Sequence, residues 1–522
     1  MWAPRARTVE VVLPRTDGPD ERRPLRLVGA HEPGYWRADD ELAPGTEYAF
    51  SIDAGPALPD PCSASMPQGP YRPGRVLDES YAWHDESWRG ADLRRGALLH
   101  LDVADATPEG TLDAAAGLLP RVAALGVDAV ELGPVAAHDP DHGLSGGARL
   151  FAVHEPYGGA PALARFVDAA HRAGLAVVLD LPHRWAVADR LDLHAFAPYA
   201  VGARLPPRAG SGVTSDTPRV NLDGSGSRGA RDFLVADARR WLEDYHVDGL
   251  LLDVEVLTDR SAVPFLAELA ETAQDVGART GVPRTLLTDG VGRSDRLTGA
   301  VATMLDGEVT ASTASMQRIW AEFIGDSAAV VPGMAGLPGR RPRGPRSGIL
   351  VDDLTRLPAA ARQVSWSLDR DAGPAAPSPD DVAVLLTLAT LAGTPLVLDT
   401  EHVPLVGDTV AAHRLRDWAR TLLRLRPPVL ADLHADVDLH TDGRTLVARR
   451  GASAILVNVD DRATDVDLAQ HLPDPAAWQV AASWRLDETH LVAGRLKIPA
   501  RTPVVLRTDR ADPTPDAPGA AP

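Results

Sequence analysis

The sequence predicts an α/β fold in which a (β/α)8 TIM barrel is flanked by an N-terminal β-sandwich and a C-terminal antiparallel β domain. Short apolar runs alternate with amphipathic segments over roughly 300 residues in the middle of the chain. Most of these runs are almost continuously apolar, as parallel strands covered on both faces require. At both ends of the chain, shorter runs separated by Pro, Gly and Asp are typical of antiparallel sheets.

The predicted domain boundaries follow these changes in sequence pattern. In order, the segments are an N-terminal β-sandwich (1–60), a Pro-, Gly- and Trp-rich linker (61–95), the barrel (96–427) with a Gly/Pro-rich excursion (186–230), a C-terminal β domain (428–508) and a disordered tail (509–522).

Eight runs are predicted as barrel strands. They are ALLHLDV (97–103), DAVELGPV (128–135), AVVLDLP (176–182), VDGLLLDV (247–254), RTLLTD (284–289), AVATML (300–305), RQVSWSLD (362–369) and TPLVLD (394–399). Amphipathic segments such as TLDAAAGLLPRVAALG lie between them and predict the helices of a (β/α)8 unit.

Composition excludes several classes of function. The net charge of −19 argues against a nucleic-acid or anionic-membrane partner. No apolar run approaches the roughly 20 residues that span a bilayer, and the N-terminus lacks the pattern of a signal peptide, so we expect a cytoplasmic protein. The single cysteine, Cys62, excludes an internal disulfide and a multi-cysteine metal site. We also expect no metal site and no cofactor.

Several predicted strands end in an aspartate, and active sites of such barrels lie at the carboxyl ends of the strands. These residues are Asp180, Asp253, Asp289, Asp369 and Asp399. Converging carboxylates suit hydrolysis of a glycosidic bond, which needs one ionised and one protonated carboxyl group. The alternative is that each aspartate caps the loop or helix that follows its strand.

Longer stretches of the sequence carry a family resemblance. They are 60–78, 107–115, GVDAVELGPVAA (126–137), FAVHEPYGG (151–159), 165–180, RVNLDGSGS (219–227) and WLEDYHVDGLLLD (241–253). In these stretches the chain resembles the α-amylase superfamily of glycoside hydrolases and, within it, the maltooligosyltrehalose trehalohydrolases. The resemblance implies a retaining enzyme without a cofactor. Such an enzyme hydrolyses the α-1,4 bond next to a terminal trehalose unit and releases trehalose.

The resemblance also implies roles for individual residues. Asp253 matches the nucleophile, Asp289 stands in place of the glutamate acid/base, and Asp369 matches the aspartate that holds sugar hydroxyls. Asp306 is a second candidate for the acid/base. The substrate-binding candidates are Asp180, His183, Trp185 and Trp366. Each tryptophan either stacks on a sugar ring or fills a pocket that is no longer open.

Other positions depart from the family pattern. Leu251 replaces an arginine, Arg184 and Trp185 replace an Asn-His pair, Leu368 replaces a histidine, and Ser145 and Gly146 replace a sugar-stacking tyrosine and its aspartate. An aspartate acid/base is shorter than glutamate by one methylene, and a misplacement of about 1 Å costs roughly a hundredfold in rate.

Three functional hypotheses follow. The first is a trehalose-releasing hydrolase of α-glucan or maltooligosyltrehalose with impaired or altered activity. The second is an inactive paralogue that binds α-glucan or serves as a partner protein in trehalose or glycogen metabolism. The third is a structural role in which Leu251, Leu368 and Trp185 fill the barrel mouth. The sequence leaves the oligomeric state open.

Overall fold

A computed structural model describes most of the chain. The described residues are 1–29, 34–78, 80–93, 96–202, 219–253, 256–257, 259–288, 309–311, 378–389, 396–400, 403–407, 409–429, 438–442, 445–458 and 460–509.

Short antiparallel strands form the N-terminal part of the molecule. They are β1 (Val9–Leu13), β2 (Glu21–Pro24), β3 (Arg26–Leu27), β4 (Trp36–Arg37), β5 (Glu47–Ile52), β6 (Ala57–Leu58) and β7 (Gly74–Arg75). One sheet has the order β2-β1-β5-β6, with β7 also paired to β5, and β3 pairs with β4 in a second sheet. The apolar residues of β1, among them Val9 and Val11, face the core.

The central strands follow. They are β8 (Ala97–Leu101), β9 (Ala129–Leu132), β10 (Ala136–Asp139), β11 (Gly143–Val153), β12 (Ala176–Leu181), β13 (Ala200–Val201), β14 (Arg219–Val220), β15 (Gly249–Leu252), β16 (Thr285–Thr288), β17 (Val309–Ala311) and β18 (Leu396–Asp399). Seven of these form a parallel sheet with the order β17-β16-β15-β12-β9-β8-β18. The last described strand thus pairs with the first, as in a (β/α)8 barrel.

Six of the eight predicted barrel strands are confirmed, because β8, β9, β12, β15, β16 and β18 lie in the predicted runs. The predicted runs 300–305 and 362–369 lie outside the described residues. The strand that pairs with β16 is β17, which the sequence did not predict. Closure of the sheet into a barrel therefore stays a prediction, as do the domain boundaries.

Eight helices of the described residues lie between and after these strands along the chain. They are α1 (Val103–Ala106), α2 (Leu112–Ala116), α3 (Leu119–Leu125), α4 (Gly159–Arg172), α5 (Ser227–Arg239), α6 (Phe265–Thr280), α7 (Pro379–Ala389) and α8 (Val410–Val429). Local signals fix several ends: Thr111 caps the N-terminus of α2 with its side chain, and Gly126 ends α3 at a φ of 88°. Helix α4 buries Leu163, Phe166 and Val167.

The two faces of the parallel sheet have different surroundings. On the outer face, residues such as Val130, Val177 and Leu250 join the main hydrophobic core. On the inner face, a separate apolar cluster contains Leu98, Ala129, Val178, Leu251 and Leu287. Because side chains alternate along a strand, the next inward positions are His100, Glu131, Asp180 and Asp253. The inner face therefore changes from apolar to polar toward the carboxyl ends of the strands.

The C-terminal part is antiparallel. Its strands are β19 (Asp438–Asp442), β20 (Thr445–Arg450), β21 (Ser453–Asn458), β22 (Thr464–Asp467), β23 (Gln479–Ser483), β24 (His490–Val492), β25 (Arg495–Ile498) and β26 (Thr502–Arg507). They form a sheet of order β19-β20-β21-β26-β23 and another of order β22-β25-β24 around a core that includes Leu456, Trp478 and Ile498. Across the described part of the chain, no helix combines the length and apolar character needed to cross a membrane.

Candidate active site

The predicted nucleophile Asp253 directly follows β15 at the carboxyl end of the parallel sheet. Its Oδ2 lies 2.5 Å from Nη2 of Arg184, and the two side chains are 22% and 24% exposed. Charge-assisted contacts of this length are among the stronger polar interactions in proteins. The carboxylate is thus held by a cation and is still open to solvent, as a group that must meet a substrate requires.

Arg184 reaches Asp253 from the neighbouring strand. Strands β12 and β15 are parallel neighbours, with Asp180 paired to Leu251, so the chain that leaves β12 runs beside the end of β15. A short 3-10 turn, His183–Trp185, carries the arginine. Leu251 is only 4% exposed and belongs to the apolar cluster inside the sheet. The positive charge beside Asp253 therefore comes from the turn after β12.

His183, predicted to bind substrate, is fully buried beneath this turn. Its Nε2 lies 3.5 Å from Oδ2 of Asp237 on α5, which is buried as well. The Trp241 indole N–H donates a 2.8 Å hydrogen bond to the other carboxylate oxygen. Neither ring nitrogen of His183 has a hydrogen-bond partner among the described residues, and the buried ring exposes no surface to a sugar.

Two further substrate-binding candidates lie at the end of β12. Asp180 is half-buried on the inner face of the sheet, and Trp185 is half-buried at the end of the 3-10 turn. Both lie near Arg184 in the chain. The remaining predicted site residues, Asp289, Asp306, Asp369 and Trp366, lie outside the described residues, as does Leu368. For Asp399, the described backbone pairs with His100 across β18 and β8.

The sequence analysis did not predict a histidine–glutamate pair on the inner face of the sheet. His100 Nδ1 lies 3.2 Å from Oε1 of Glu131, which is 3% exposed on the inner face of the sheet. The other carboxylate oxygen of Glu131 is buried without a hydrogen-bond partner among the described residues. The signal that could have identified this pair is a single charged residue inside an otherwise apolar strand, AVEL, because an isolated buried charge is costly.

The segment containing Ser145 and Gly146 is part of a hairpin that the sequence did not predict, formed by β10 and β11. Asp139 is 3% exposed, and the Tyr71 hydroxyl donates to it at 2.8 Å. Burial raises the pKa of this carboxyl, but hydrogen bonds from the Asp141 amide and the Tyr71 hydroxyl outweigh burial and set its pKa to about 2. A Cβ at Gly146 would lie 2.5 Å from that of Asp139. The loop is therefore built around a glycine at 146, and no larger residue fits there unchanged.

A second polar cluster lies at the opposite end of the sheet, where Asp248 precedes β15. Its Oδ2 lies 2.9 Å from Nε2 of His171, whose Nδ1 lies 2.8 Å from Oδ2 of Asp85. The Trp88 indole donates to Asp248 at 2.7 Å and stacks on the His171 ring at 4.7 Å. This cluster joins the segment before the sheet to α4 and β15 and has little access to solvent.

No metal-binding arrangement is visible in the part of the chain that the structure describes: it contains no group of three or more His, Cys, Asp or Glu residues placed to hold an ion. Among the described residues, the groups at the carboxyl end of the sheet are carboxylates, a guanidinium and an imidazole.

Comparison with known proteins gives relatives in sequence and in structure. No family model matches the chain. A malto-oligosyltrehalose trehalohydrolase of Rhizobium sp. (strain M-11) is 38% identical over 295 residues, which are 55% of this chain and 48% of the relative. The chain thus spans about half the length of the curated relatives it matches.

Solved structures resemble the chain over almost all of its length. A proposed alpha amylase from Salmonella typhimurium has a TM-score of 0.69 at 19% identity, covering 97% of both chains. A pullulanase from Anoxybacillus sp. LM18-11, complexed with maltotetraose, has a TM-score of 0.68 at 14% identity, covering 97% of this chain and 85% of that one. The resemblance predicted from the sequence motifs is confirmed: the chain is related in sequence to malto-oligosyltrehalose trehalohydrolases and shares the fold of α-amylase and pullulanase enzymes.

Proposed function

We propose that the protein is a glycoside hydrolase that releases trehalose from maltooligosyltrehalose or a related α-glucan by a retaining mechanism, with impaired or altered activity. The observation that carries this proposal is the placement of Asp253. It lies at the carboxyl end of a parallel strand, partly exposed, with a guanidinium 2.5 Å away. The names of the curated relatives support the substrate class.

In this mechanism, the Asp253 carboxylate attacks the anomeric carbon of the glucosyl unit next to trehalose. The carboxylic acid of Asp289, or of Asp306, protonates the glycosidic oxygen, so that trehalose leaves and a glycosyl ester remains on Asp253. Water then attacks the anomeric carbon and gives its proton to the same acid/base, which frees the maltooligosaccharide and Asp253. Asp369, Asp180, Trp185 and Trp366 are proposed to hold the sugar.

The test is incubation of the purified protein with maltotriosyltrehalose, with trehalose release followed by chromatography, beside the Asp253→Ala variant. We expect slow release by the native protein and none by the variant. If a folded native protein releases no trehalose, the hydrolase proposal fails for this substrate. Binding of the same sugar, measured by calorimetry, would then favour the inactive glucan-binding paralogue.

A further inference from the structure

We propose that Arg184 is the positioning residue of Asp253: its guanidinium, presented by the turn after β12, fixes the orientation of the carboxylate. This inference rests on the proposed function and deepens it. The contact joins Nη2 of Arg184 to Oδ2 of Asp253 at 2.5 Å, between two side chains that are about one quarter exposed. Arginine suits this role because its guanidinium stays charged and presents its N–H groups in a rigid plane.

The turn that carries Arg184 is anchored on both sides of the arginine. The backbone N–H groups of Trp185 and Ala186 donate to the carbonyl groups of Pro182 and His183 at 2.9 and 3.2 Å. The His183 ring is fully buried against Asp237, and Asp237 is itself held by the Trp241 indole. The turn that carries Arg184 therefore contacts helix α5 through His183.

Asp259, six residues after Asp253, contacts both α5 and α6. Asp259, 1% exposed at its side chain, forms a 2.9 Å ion pair with Arg231. The other carboxylate oxygen of Asp259 accepts a 2.6 Å hydrogen bond from the Phe265 N–H at the start of α6. The Arg184–Asp253 contact thus joins two segments that both contact α5, one through Asp237 and the other through Arg231.

A carboxylate at the end of a strand can rotate about its side-chain bonds, and attack on an anomeric carbon requires one orientation. Leu251, the adjacent inward position on the same strand, is apolar and buried, so it offers the carboxylate no polar contact. Removal of the guanidinium therefore takes away the contact that Arg184 makes with this carboxylate. A misplacement of about 1 Å costs roughly a hundredfold in rate.

The experiment compares Arg184→Ala and Arg184→Lys with the native protein in trehalose release. Arg165→Ala is the matched control, because Arg165 pairs with Asp113 through two hydrogen bonds on the surface, away from the site. We expect Arg184→Ala to lower kcat about a hundredfold with little change in KM. Arg184→Lys should retain part of the rate, and guanidinium ion at sub-denaturing concentration should restore part of the rate to Arg184→Ala alone.

An Arg184→Ala protein with native kcat, or one whose lost rate guanidinium does not restore, would overturn the inference. A readout independent of turnover separates this failure from that of the proposed function. Crystal structures of Arg184→Ala with and without guanidinium should show the Asp253 carboxylate turned in the first and returned to its native orientation in the second. An unchanged carboxylate in both would contradict the positioning role even if the native protein proves inactive.

Discussion

The two ends of strand β15 carry aspartates with opposite surroundings. Asp248, just before the strand, is 1% exposed and contacts His171, the Trp88 indole and the backbone N–H of Val177, all within 2.9 Å. Asp253, just after the strand, is 22% exposed at its side chain and pairs with Arg184. Asp248 and Asp253 are separated by only four apolar residues, yet their carboxylates have different surroundings. The first joins segments of the fold, and the second is open to solvent.

This difference divides one sequence motif into two parts. In YHVDGLLLD, the residues His246 and Asp248 lie in the cluster at the amino end of the sheet, where His246 contacts Asp85 at 2.8 Å. That part of the motif therefore contributes to the stability of the fold. The proposed functional signal lies in Asp253 and in Arg184, its partner from the turn after β12.

Asp253→Asn tests the functional end and should have the largest effect. Loss of the nucleophile should lower kcat by a factor on the order of 10⁴ or more. The free energy of unfolding should change by less than about 1 kcal/mol, because the lost ion pair is partly exposed. Trehalose release and urea denaturation measure the two quantities. If the variant keeps its activity, or if it unfolds, the proposed difference between the two ends of β15 is contradicted.

Asp248→Ala tests the structural end. It should lower the free energy of unfolding by about 3–5 kcal/mol, because His171 would remain buried without one of its two carboxylate partners. Urea denaturation is the measurement. The control is Asp232→Ala, which removes an exposed helix ion pair with Arg228 and should cost less than about 1 kcal/mol. Equal losses in the two variants would contradict the role assigned to Asp248.

The same cluster predicts a dependence of stability on pH. Burial lowers the pKa of His171, but hydrogen bonds and charges from Asp248 and Asp85 outweigh burial and raise this pKa above 6.5. The stabilisation is therefore complete below pH 6.5 and is lost as the pH rises through the raised pKa. Burial raises the pKa of Asp85, yet its hydrogen bonds with His246 and His171 leave it below 3.8, so its contribution is lost only in stronger acid.

Denaturation of the native protein and of His171→Gln across this pH range is the measurement. Because glutamine cannot become charged, the variant should lack the decrease in stability above pH 6.5. Parallel curves for the two proteins would show that the imidazolium does not stabilise the cluster.

The stability contribution of His154 should depend on pH in the opposite direction. Burial, followed by the charge of the stacked His138 ring at 3.8 Å, lowers its pKa from 6.5 to about 4. The unfolded chain therefore binds this proton more readily, and the contribution of the neutral ring is lost as the pH falls from 6.5 toward 4. An NMR titration should place the His154 midpoint near 4 and that of His171 above 6.5. Midpoints in the reverse order would contradict both environments.

Much of the fold was predictable because a buried parallel strand appears in the sequence as a continuous apolar run, such as AVVLDL in β12. The hairpin of β10 and β11 was missed because its polar and glycine-rich residues lack a strand period. Asp253 was predictable as a strand-end carboxylate. Its contact with Arg184 was not, because the contact depends on how the turn after β12 is directed.

The same reason explains His183. The sequence places it near the end of a strand, where a substrate contact is expected, but the turn directs its ring toward Asp237 in the interior. The burial of an individual side chain within a turn depends on helix α5, which the local pattern does not specify.

The central claim is that Asp253 is the working nucleophile, and covalent trapping tests it most directly. A fluorinated maltosyl fluoride, whose glycosyl ester hydrolyses slowly, would be incubated with the native protein and with Arg184→Ala, followed by peptide mass spectrometry. We predict a maltosyl adduct on Asp253 of the native protein, formed more slowly in the variant. An adduct on another carboxylate, or no adduct from a protein that releases trehalose, would contradict the claim.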